Sequence, residues 1–420
     1  MLKKCSECPR YLTASPPTPD RELITVMTVS SFHPPRRMLM GPGPSDIDSR
    51  VLQALGRPVI GHLDPEFILM MDEIKGLLHY AFQTTNQMTL PISAPGSAGM
   101  ESCFVNLVEP GDSVVVCVNG VFGGRMVENV ERCGATAIKV EDDWGLPVDV
   151  NKLEDVLKAN PGVKAVAFVH AETSTGVQSD AAAISALAHE HGALVIMDAV
   201  TSLGGTPVLV DEWKIDACYS GTQKCLSCVP GISPVTFSDR AVEAIRGRNH
   251  KVQSWFLDMN LIMGYWSSEG ATRSYHHTAP VNTLYGLHES LVMLKEEGIE
   301  NAWKRHRRNH LALKAGLDAL GLKLIVDEAH RLPQLNAVKI PDGIDEAMVR
   351  RRLLSDFGIE IGAGLGALAG KVWRIGLMGQ SSSPRHVTLA LSALEAILTD
   401  MGVSTGQGGA AGAAQKVLLA

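Results

Sequence analysis

A turn of small residues near position 95 has the residue types of a phosphate site. The segment Ser93-Ala-Pro-Gly-Ser-Ala-Gly-Met-Glu101 follows an apolar run and opens a stretch with helical character. Free backbone N–H groups and the positive end of a helix dipole attract phosphate at such a turn. The segment matches neither the G-x-G-x-x-G dinucleotide pattern nor the P-loop pattern, and glycine-rich turns also arise for steric reasons alone.

Two ionisable residues follow further apolar runs. Asp198 closes the run Ala193-Leu-Val-Ile-Met197, where a carboxylate can keep a ring nitrogen protonated or can simply cap a turn. Lys224 stands among small and apolar neighbours in Asp216-Ala-Cys-Tyr-Ser-Gly-Thr-Gln-Lys224. Desolvation favours the amine form of a lysine, which can attack a carbonyl carbon and form a Schiff base, although a lone lysine there is more often an exposed loop residue.

The order of these three features indicates a cofactor. A phosphate turn, a carboxylate for a ring nitrogen and a Schiff-base lysine, each at the carboxyl end of a strand, are the groups that bind pyridoxal phosphate. The sequence therefore predicts a pyridoxal-phosphate site built from the Gly96 turn, Asp198 and Lys224.

The elements that must position these residues are also visible in the sequence. Apolar, β-branched runs at 113–119, 163–170 and 192–198 alternate with segments of helix length. Strands this apolar are buried on both faces, which is typical of a mainly parallel sheet with helical crossovers. In the segment between the last two runs, Asp180 can cap a helix that Gly192 ends. We therefore predict an α/β fold.

The chain divides into four predicted segments. A Pro-rich N-terminal arm covers 1–37 and contains Met27, an alternative start residue, and the large cofactor-binding domain covers 38–290. A helical stretch over 284–320, then strand, helix and strand patterns at 334–340, 345–357 and 371–377, predict a smaller α+β domain over 291–402. The Gly/Ala-rich end, 403–420, is expected to be a disordered tail.

Composition narrows the function classes. The 420 residues are 45% apolar and carry a net charge of −7, which suits a globular protein and disfavours a nucleic-acid or anionic-membrane surface. No secretory signal or membrane-length apolar run is present, and the final Val-Leu-Leu-Ala does not match a peroxisomal signal, so we expect a cytoplasmic protein. The eight cysteines suit reduced thiols, and Cys5-x-x-Cys8 and Cys225-x-x-Cys228 are too far apart, without a His pair, to predict a metal site.

Collinear motifs from about residue 38 to about residue 400 resemble a known family. The chain is similar to the alanine–glyoxylate/serine–pyruvate aminotransferases, which belong to the class V pyridoxal-phosphate aminotransferases with PLP fold type I. The resemblance is carried by Gly41-Pro-Gly-Pro-Ser45, Gly61-His-Leu-Asp-Pro65, Met71-Asp-Glu-Ile-Lys75, Glu109-Pro-Gly-Asp112, Glu172-Thr-Ser-Thr-Gly-Val177, Asp198 with Lys224, Tyr275-His-His-Thr278 and Val372-Trp-Arg-Ile-Gly-Leu377.

The resemblance implies a role for each matching residue. Lys224 would form the Schiff base and move the proton, Asp198 would pair with the pyridine nitrogen, and Arg374 would bind the substrate carboxylate. A homodimer is implied, in which the Tyr275 to Thr278 stretch reaches the phosphate of the neighbouring subunit. The remaining cofactor contacts would come from Gly96, Ser97, Ala98, Thr173, Val200 and Gln223.

Two positions depart from the family pattern. Phe122 stands where relatives often have a tryptophan stacked on the cofactor ring, and either aromatic side chain can stack. Pro95 stands where a hydroxyl residue commonly helps to bind phosphate, so backbone groups of Gly96, Ser97 and Ala98 must contribute more.

The predicted reaction is transamination between a small amino acid, alanine or serine, and glyoxylate or pyruvate. A ureidoglycine–glyoxylate aminotransferase and a non-catalytic pyridoxal-phosphate-binding protein remain alternatives. A lyase of the same fold, such as a cysteine desulfurase, needs a mobile cysteine late in the chain, and the sequence has none after Cys228. Without the resemblance, we would interpret His276 and His277 as ordinary interface histidines, Tyr275 as a packing residue and Arg374 as a structural residue.

Overall fold

The computed structural model describes residues 30–267, 273–403 and 409–420. The chain divides into two compact units, 1–36 and 37–420. Only residues 30–36 of the first unit are described, and they form neither helix nor strand. The predicted N-terminal arm, including Met27, therefore lies almost entirely outside the described residues.

All described helices and strands belong to the second unit. None of these helices is long and apolar enough to cross a bilayer. The helices are α1 (Ser49–Leu55), α2 (Pro65–Phe82), α3 (Gly96–Leu107), α4 (Val121–Arg132), α5 (Val150–Ala159), α6 (Ala181–Glu190), α7 (Asp239–Arg246), α8 (Met259–Trp266), α9 (Val281–Glu297), α10 (Ile299–Ala319), α11 (Glu346–Phe357), α12 (Pro384–Asp400) and α13 (Ala410–Leu419). The strands are β1 (Met38–Leu39), β2 (Met88–Ile92), β3 (Ser113–Val118), β4 (Thr136–Glu141), β5 (Ala165–Val169), β6 (Ala171–Glu172), β7 (Val177–Gln178), β8 (Leu194–Asp198), β9 (Ala217–Tyr219), β10 (Ser233–Phe237), β11 (Leu335–Lys339), β12 (Ile359–Glu360), β13 (Gly362–Ala363) and β14 (Val372–Gly376).

The central sheet has seven strands in the order β2-β10-β9-β8-β5-β3-β4. The pairs from β9 through β4 are parallel, and β10 runs antiparallel to both β9 and β2. Every residue of β5 and β8 is buried, because helices cover both faces of such a sheet. The predicted α/β fold with a mainly parallel sheet is confirmed.

Helix signals in the sequence match the observed caps. The side chain of Asp180 accepts the backbone N–H of Ala183 at the start of α6, as its position before an Ala-rich stretch predicts. Asp345 caps α11 in the same way by accepting the N–H groups of Ala347 and Met348. These caps fix where the crossover helices begin, and hence which loop residues reach the edge of the sheet.

Two large hydrophobic clusters and a third of five residues form the core of the second unit. The first contains the central sheet and extends along the chain from Val51 to Ala302. The second joins Met40 to residues between Ala312 and Ala414 and packs around the antiparallel sheet β11-β14-β13. The domain boundary predicted after residue 290 lies inside α9, whose Leu291 belongs to the first cluster.

The prediction of a disordered tail over 403–420 is wrong for residues 409–420. These residues include α13, whose Ala410 and Ala414 are buried against α10 and α12. The carboxylate of Glu395 accepts the N–H groups of Gly409 and Ala410, which caps the helix. Small residues resemble a low-complexity tail in composition, yet here they allow two helices to approach closely. Residues 404–408 of the predicted tail lie outside the described residues.

The contact between α10 and α13 gives a test of this correction. A Cβ atom at Gly316 would lie 2.2 Å from Leu391 Cδ1 and 2.9 Å from the Ala410 carbonyl oxygen. We expect Gly316→Ala to lower the free energy of unfolding by about 1–3 kcal/mol through overpacking, measured by urea denaturation. A Cβ at Gly412, on α13 itself, meets nothing within 4 Å, so Gly412→Ala should be neutral or stabilising. Equal effects of the two substitutions would contradict this packing.

Candidate active site

Asp198 lies at the carboxyl end of β8, where its carboxylate is held by two donors. The backbone N–H of Val200 donates to Oδ1 at 2.7 Å, and the hydroxyl of Tyr219, at the end of the neighbouring strand β9, donates to Oδ2 at 2.7 Å. The side chain is 3% exposed. Burial raises the pKa of Asp198 to about 7, the negative charge of Glu172 adds to the rise, and the two hydrogen bonds oppose it. A cation placed beside this carboxylate would stabilise its charged form.

Lys224 follows β9 and faces the segment that precedes α1. Its Nζ donates to the backbone carbonyl of Pro42, and a Cβ at Gly43 would lie 2.6 Å from Nζ. Gly43 has a φ of +107°, so this close approach of backbone to amine needs glycine. Burial, with a contribution from the positive charge of Arg374, lowers the pKa of Lys224 to about 8. The amine form required for attack on a carbonyl carbon is therefore accessible near neutral pH.

The predicted phosphate turn opens α3, as expected. Helix α3 begins at Gly96, and its N-cap residue Pro95 makes no side-chain cap hydrogen bond. The N–H of Ala98 donates to the Pro95 carbonyl at 2.7 Å, which leaves the N–H groups of Gly96 and Ser97 as the donors of this helix end. A phosphate would be held by these two donors.

Residues predicted to surround the phosphate and the ring converge on Gly96. A Cβ at Gly96 would lie 3.6 Å from Val200 Cγ2 and 3.6 Å from Gly221 Cα. Gln223 follows two residues later, and the NH₂ group of its side chain is the donor that a phosphate oxygen would require. An uncapped helix end, a carboxylate and a desolvated lysine together fit pyridoxal phosphate. No group of three His, Cys, Asp or Glu side chains in the described chain is arranged to hold a metal ion.

Arg374 approaches this site from β14 in the smaller sheet. Its Nε donates to the Ala363 carbonyl at 2.7 Å and its Nη1 to the Thr173 carbonyl at 3.1 Å. Nη2 has no partner within the described part of the chain. The residue is 6% exposed, and burial lowers the pKa of its guanidinium to about 10. Arg374 therefore presents a fixed, partly unpaired cation, which suits a substrate carboxylate.

Glu172 links the loop of Thr173 to the start of α4, where Phe122 lies. Thr173 Oγ1 is 2.5 Å from Thr201 Oγ1, in the loop that follows Asp198. Phe122 is half-buried in the first turn of α4, and the Arg125 guanidinium lies 4.8 Å from the centroid of its ring. The backbone N–H of Phe122 donates to Glu172 Oε2 at 3.2 Å.

Tyr275 and Thr278 are exposed and make no hydrogen bond to Lys224 or Asp198 of their own chain. The Tyr275 ring is 63% exposed and lies 5.5 Å from the ring of His62. His276 and His277 separate Tyr275 from Thr278 in the sequence. His276 is buried, and its ring stacks on Trp255 with the ring centroids 4.5 Å apart, while His277 Nε2 lies 2.7 Å from Ser93 Oγ. Hydrogen bonds, packing and electrostatics thus connect Asp198, Lys224, Arg374, Thr173, Val200 and Gly96 within one chain, whereas Tyr275 and Thr278 make no hydrogen bond to this group.

Comparisons with known proteins agree with this geometry. Residues 51–379 match the model of the family described as Aminotransferase class-V. The chain belongs to this family. It is 41% identical over 365 residues to an alanine–glyoxylate aminotransferase of Callithrix jacchus, covering 87% of this chain and 88% of that one. It is 40% identical over 383 residues to (S)-ureidoglycine–glyoxylate transaminase of Bacillus subtilis, covering 87% and 91%.

Solved structures give the same result. An alanine–glyoxylate aminotransferase from Nostoc sp. superposes with a TM-score of 0.86 at 45% identity, covering 89% of this chain and 98% of the other. The chain is therefore a pyridoxal-phosphate-dependent aminotransferase. When bound, the cofactor supplies an aldehyde carbon and an electron-accepting ring, and the residues above supply the groups that hold it.

Three contributors to the aminotransferase site have no role assigned from the sequence. Tyr219 and Glu172 fall within quoted motifs, but neither spacing nor residue type shows which atom each side chain reaches. Pro42 contacts Lys224 across 182 positions of sequence. The motif Gly41-Pro-Gly-Pro-Ser45 marks this segment, and the turn residues in it indicate a sharp bend without indicating its partner.

The pKa of Lys224 predicts the pH dependence of cofactor capture. The free amine attacks the aldehyde, so the rate at which apoenzyme captures pyridoxal phosphate should rise with pH and reach its midpoint near the Lys224 pKa of about 8. Stopped-flow absorbance of apoenzyme mixed with pyridoxal phosphate measures this rate, and Lys224→Ala is the control without covalent capture. A midpoint near 10.5, the ordinary lysine value, would contradict the desolvation of Lys224.

The Tyr219 hydroxyl gives a second prediction. Tyr219→Phe removes a 2.7 Å hydrogen bond to the Asp198 carboxylate and should raise the pKa of Asp198 above about 7. A bond to a charged group is worth roughly 1.5–3 kcal/mol, so affinity for pyridoxal phosphate at pH 7 should fall on the order of tenfold or more. Titrations at pH 7 and pH 8.5 should show a smaller deficit at the higher pH, where Asp198 ionises in both proteins. An unchanged affinity at pH 7 would refute this role.

Proposed function

We propose that this aminotransferase moves the amino group of a small amino acid, alanine or serine, to glyoxylate or pyruvate. The observation that carries the proposal is the placement of the Lys224 amine, which lies close enough to both Asp198 and Arg374 for each of their charges to act on it. A nucleophilic amine, a carboxylate for the cofactor ring and a cation for the substrate carboxylate are the groups that transamination of an α-amino acid requires.

Each residue has a definite task in this reaction. Asp198 would hold the ring nitrogen of the bound cofactor in its protonated form, and the α3 N-terminus with Gln223 would hold the phosphate. Lys224 Nζ would take up the proton that the substrate Cα loses and would later release it. Arg374 binds the carboxylate of donor and acceptor in turn, so the two half-reactions share one site and follow ping-pong kinetics.

The backbone beside Lys224 supports small substrates. Pro42 and Gly43 lie directly against Nζ, where even a Cβ would approach to 2.6 Å. A donor whose side chain is a methyl or hydroxymethyl group meets less of this backbone than a long side chain would.

Ureidoglycine–glyoxylate transamination is the second candidate. The Bacillus subtilis enzyme named for that reaction superposes with a TM-score of 0.90 at 40% identity, covering 93% of this chain and all of that one. Glyoxylate appears in the names of both kinds of relative, so we propose glyoxylate as the shared acceptor. The donor distinguishes the two candidates.

A half-reaction experiment tests this function. Alanine, serine and (S)-ureidoglycine are each added to holoenzyme, and the loss of the aldehyde-cofactor absorbance is followed without an acceptor. We expect alanine or serine to convert the cofactor, glyoxylate to restore it, and Lys224→Ala to show no conversion. Conversion by ureidoglycine alone would favour the second candidate, and no conversion by any donor would favour a non-catalytic binding protein.

We further propose a homodimer in which Tyr275 and Thr278 complete the site of the other subunit. Their exposure in a single chain supports this, as does the surface around them. We call this surface the aromatic patch: Leu63, Trp255 and Tyr275, exposed by 45%, 63% and 63% around His62 and His276. Exposed aromatic clusters of this kind are typical of protein interfaces.

Subunit mixing tests the shared site. A mixed dimer of Lys224→Ala and Tyr275→Ala subunits contains one site with both defects and one with neither, if Tyr275 acts across the interface. Refolding the two inactive variants together should restore up to about a quarter of wild-type activity, because half of the dimers are mixed. No recovery from dimers shown to be mixed would overturn the cross-subunit role.

Cytoplasmic localisation is also a proposal. The described cysteines from Cys103 to Cys228 are free and buried, which suits a reducing compartment. Cell fractionation followed by immunoblotting tests it, and recovery in another fraction would contradict it.

A further inference from the structure

Helix α4, which carries Phe122, has no cap of its own. Its N-cap is Gly120, so no side chain of the helix's own cap residue satisfies the N–H groups of the first turn. Residues of the Glu172 loop take this place. Ser174 Oγ accepts the N–H of Val121 at 3.1 Å, and Glu172 Oε2 accepts the N–H of Phe122 at 3.2 Å.

Both oxygens of Glu172 are committed. Oε1 accepts the N–H of Ser174 at 3.0 Å and its hydroxyl at 2.6 Å, while Oε2 faces the α4 terminus. The residue is 0% exposed, and no Lys, Arg or His side chain of the described residues forms an ion pair with it. The positive end of the α4 dipole therefore offsets part of the cost of burying this carboxylate.

Gly120 makes the arrangement possible. A Cβ at this position would lie 2.4 Å from Glu172 Cδ and 2.5 Å from Ser174 Oγ. Only glycine lets the carboxylate reach the N–H groups of α4, so the Asn119-Gly120 turn and the Glu172 loop fit each other at this point.

We propose that Glu172 is the positioning residue that holds Phe122 against the cofactor ring and couples it to the Thr173 and Arg374 side of the site. Glu172 fixes the backbone of Phe122 directly. Through the next residue, it also fixes the Thr173 carbonyl that accepts Arg374 Nη1 at 3.1 Å. This proposal rests on the proposed function, because Phe122 must stack on the cofactor for its position to matter.

The charge of Glu172 suits this task. Burial raises its pKa, while the hydrogen bonds from Ser174, Phe122 and Gly123 favour the charged form. All groups that face the carboxylate are hydrogen-bond donors. In a glutamine at this position, the NH₂ group would face an N–H donor and could not accept its hydrogen bond. A glutamine is thus nearly identical in shape and still loses the contact that positions Phe122.

A double-mutant cycle tests the proposal. Glu172→Gln, Phe122→Leu and the double variant are compared for equilibrium affinity for pyridoxal phosphate and for the visible circular dichroism of the bound cofactor, which reports ring orientation. We expect each single substitution to lower affinity roughly tenfold and to reduce the dichroism. The double variant should lose less affinity than the two single losses combined, because part of the effect of Glu172 passes through Phe122.

Two further variants separate positioning from general loss of stability. Asp345→Ala removes an N-terminal cap from α11 in the smaller domain and should lower Tm without changing the dichroism or the affinity. Glu172→Asp keeps the charge but retracts it from the Phe122 N–H, so it should change the dichroism as Glu172→Gln does. It replaces Glu172→Gln in the cycle if the glutamine variant does not fold.

The outcomes are distinct. Additive losses in the double variant, or a normal cofactor dichroism in folded Glu172→Gln, would overturn the positioning role. If Phe122→Leu alone leaves affinity and dichroism unchanged, the stacking role of Phe122 in the proposed site fails instead. A combined loss smaller than the sum of the single losses, together with an altered dichroism, supports the proposal.

Discussion

The removal of charged side chains from water at one edge of the sheet is the constraint on which the site depends. Asp198, Glu172, Lys224 and Arg374 are all partly or fully buried, and an unpaired charge there would be costly. The protein meets this cost mostly with neutral donors and acceptors: a tyrosine hydroxyl, backbone N–H groups and backbone carbonyls. Opposite charges stay close without closing into direct ion pairs, so they remain available to a phosphate, a ring nitrogen and a carboxylate.

The segment before α1 joins the two parts of the second unit at this edge. Gly376 is the last residue of β14, the strand that carries Arg374, and its N–H donates to the Met40 carbonyl at 2.7 Å. A Cβ at Gly376 would lie 2.0 Å from the Gly41 carbonyl oxygen, and one at Gly362 would lie 2.5 Å from Pro42 Cδ. The same short segment contacts Lys224. One stretch of backbone therefore positions both Arg374, the cation proposed to bind the substrate carboxylate, and the amine of Lys224. This close packing requires glycine at Gly376 and Gly362, and the φ of +107° favours glycine at Gly43 within the motif itself.

Much of this arrangement follows from the sequence. The strands that end at Asp198 and before Lys224 are apolar enough to be recognised as buried, and the carboxyl ends of parallel strands meet at one edge. Residue types then indicate the cofactor. The roles of Phe122 and Arg374 came from the family resemblance, because a phenylalanine on a helix or an arginine on a strand carries no such signal alone.

Other features depend on contacts that no local pattern shows. Tyr219 reaches Asp198 through strand pairing, Pro42 reaches Lys224 across the chain, and Glu172 caps a helix that begins 51 residues earlier, at Val121. The prediction of a disordered tail, which rested on composition, was wrong for residues 409–420 for the same reason. Alanines in α13 are ordered by the groove that α10 and α12 provide, and that groove exists only in the folded protein.

The most direct test of the central claim is to locate the residue that holds the cofactor. Holoenzyme is reduced with borohydride, which fixes the cofactor on its lysine, then digested and analysed by mass spectrometry. The account predicts that the cofactor mass appears on Lys224, and that prior incubation with alanine removes the label. Labelling of a different lysine, or a label on Lys224 that alanine does not reduce, would contradict it.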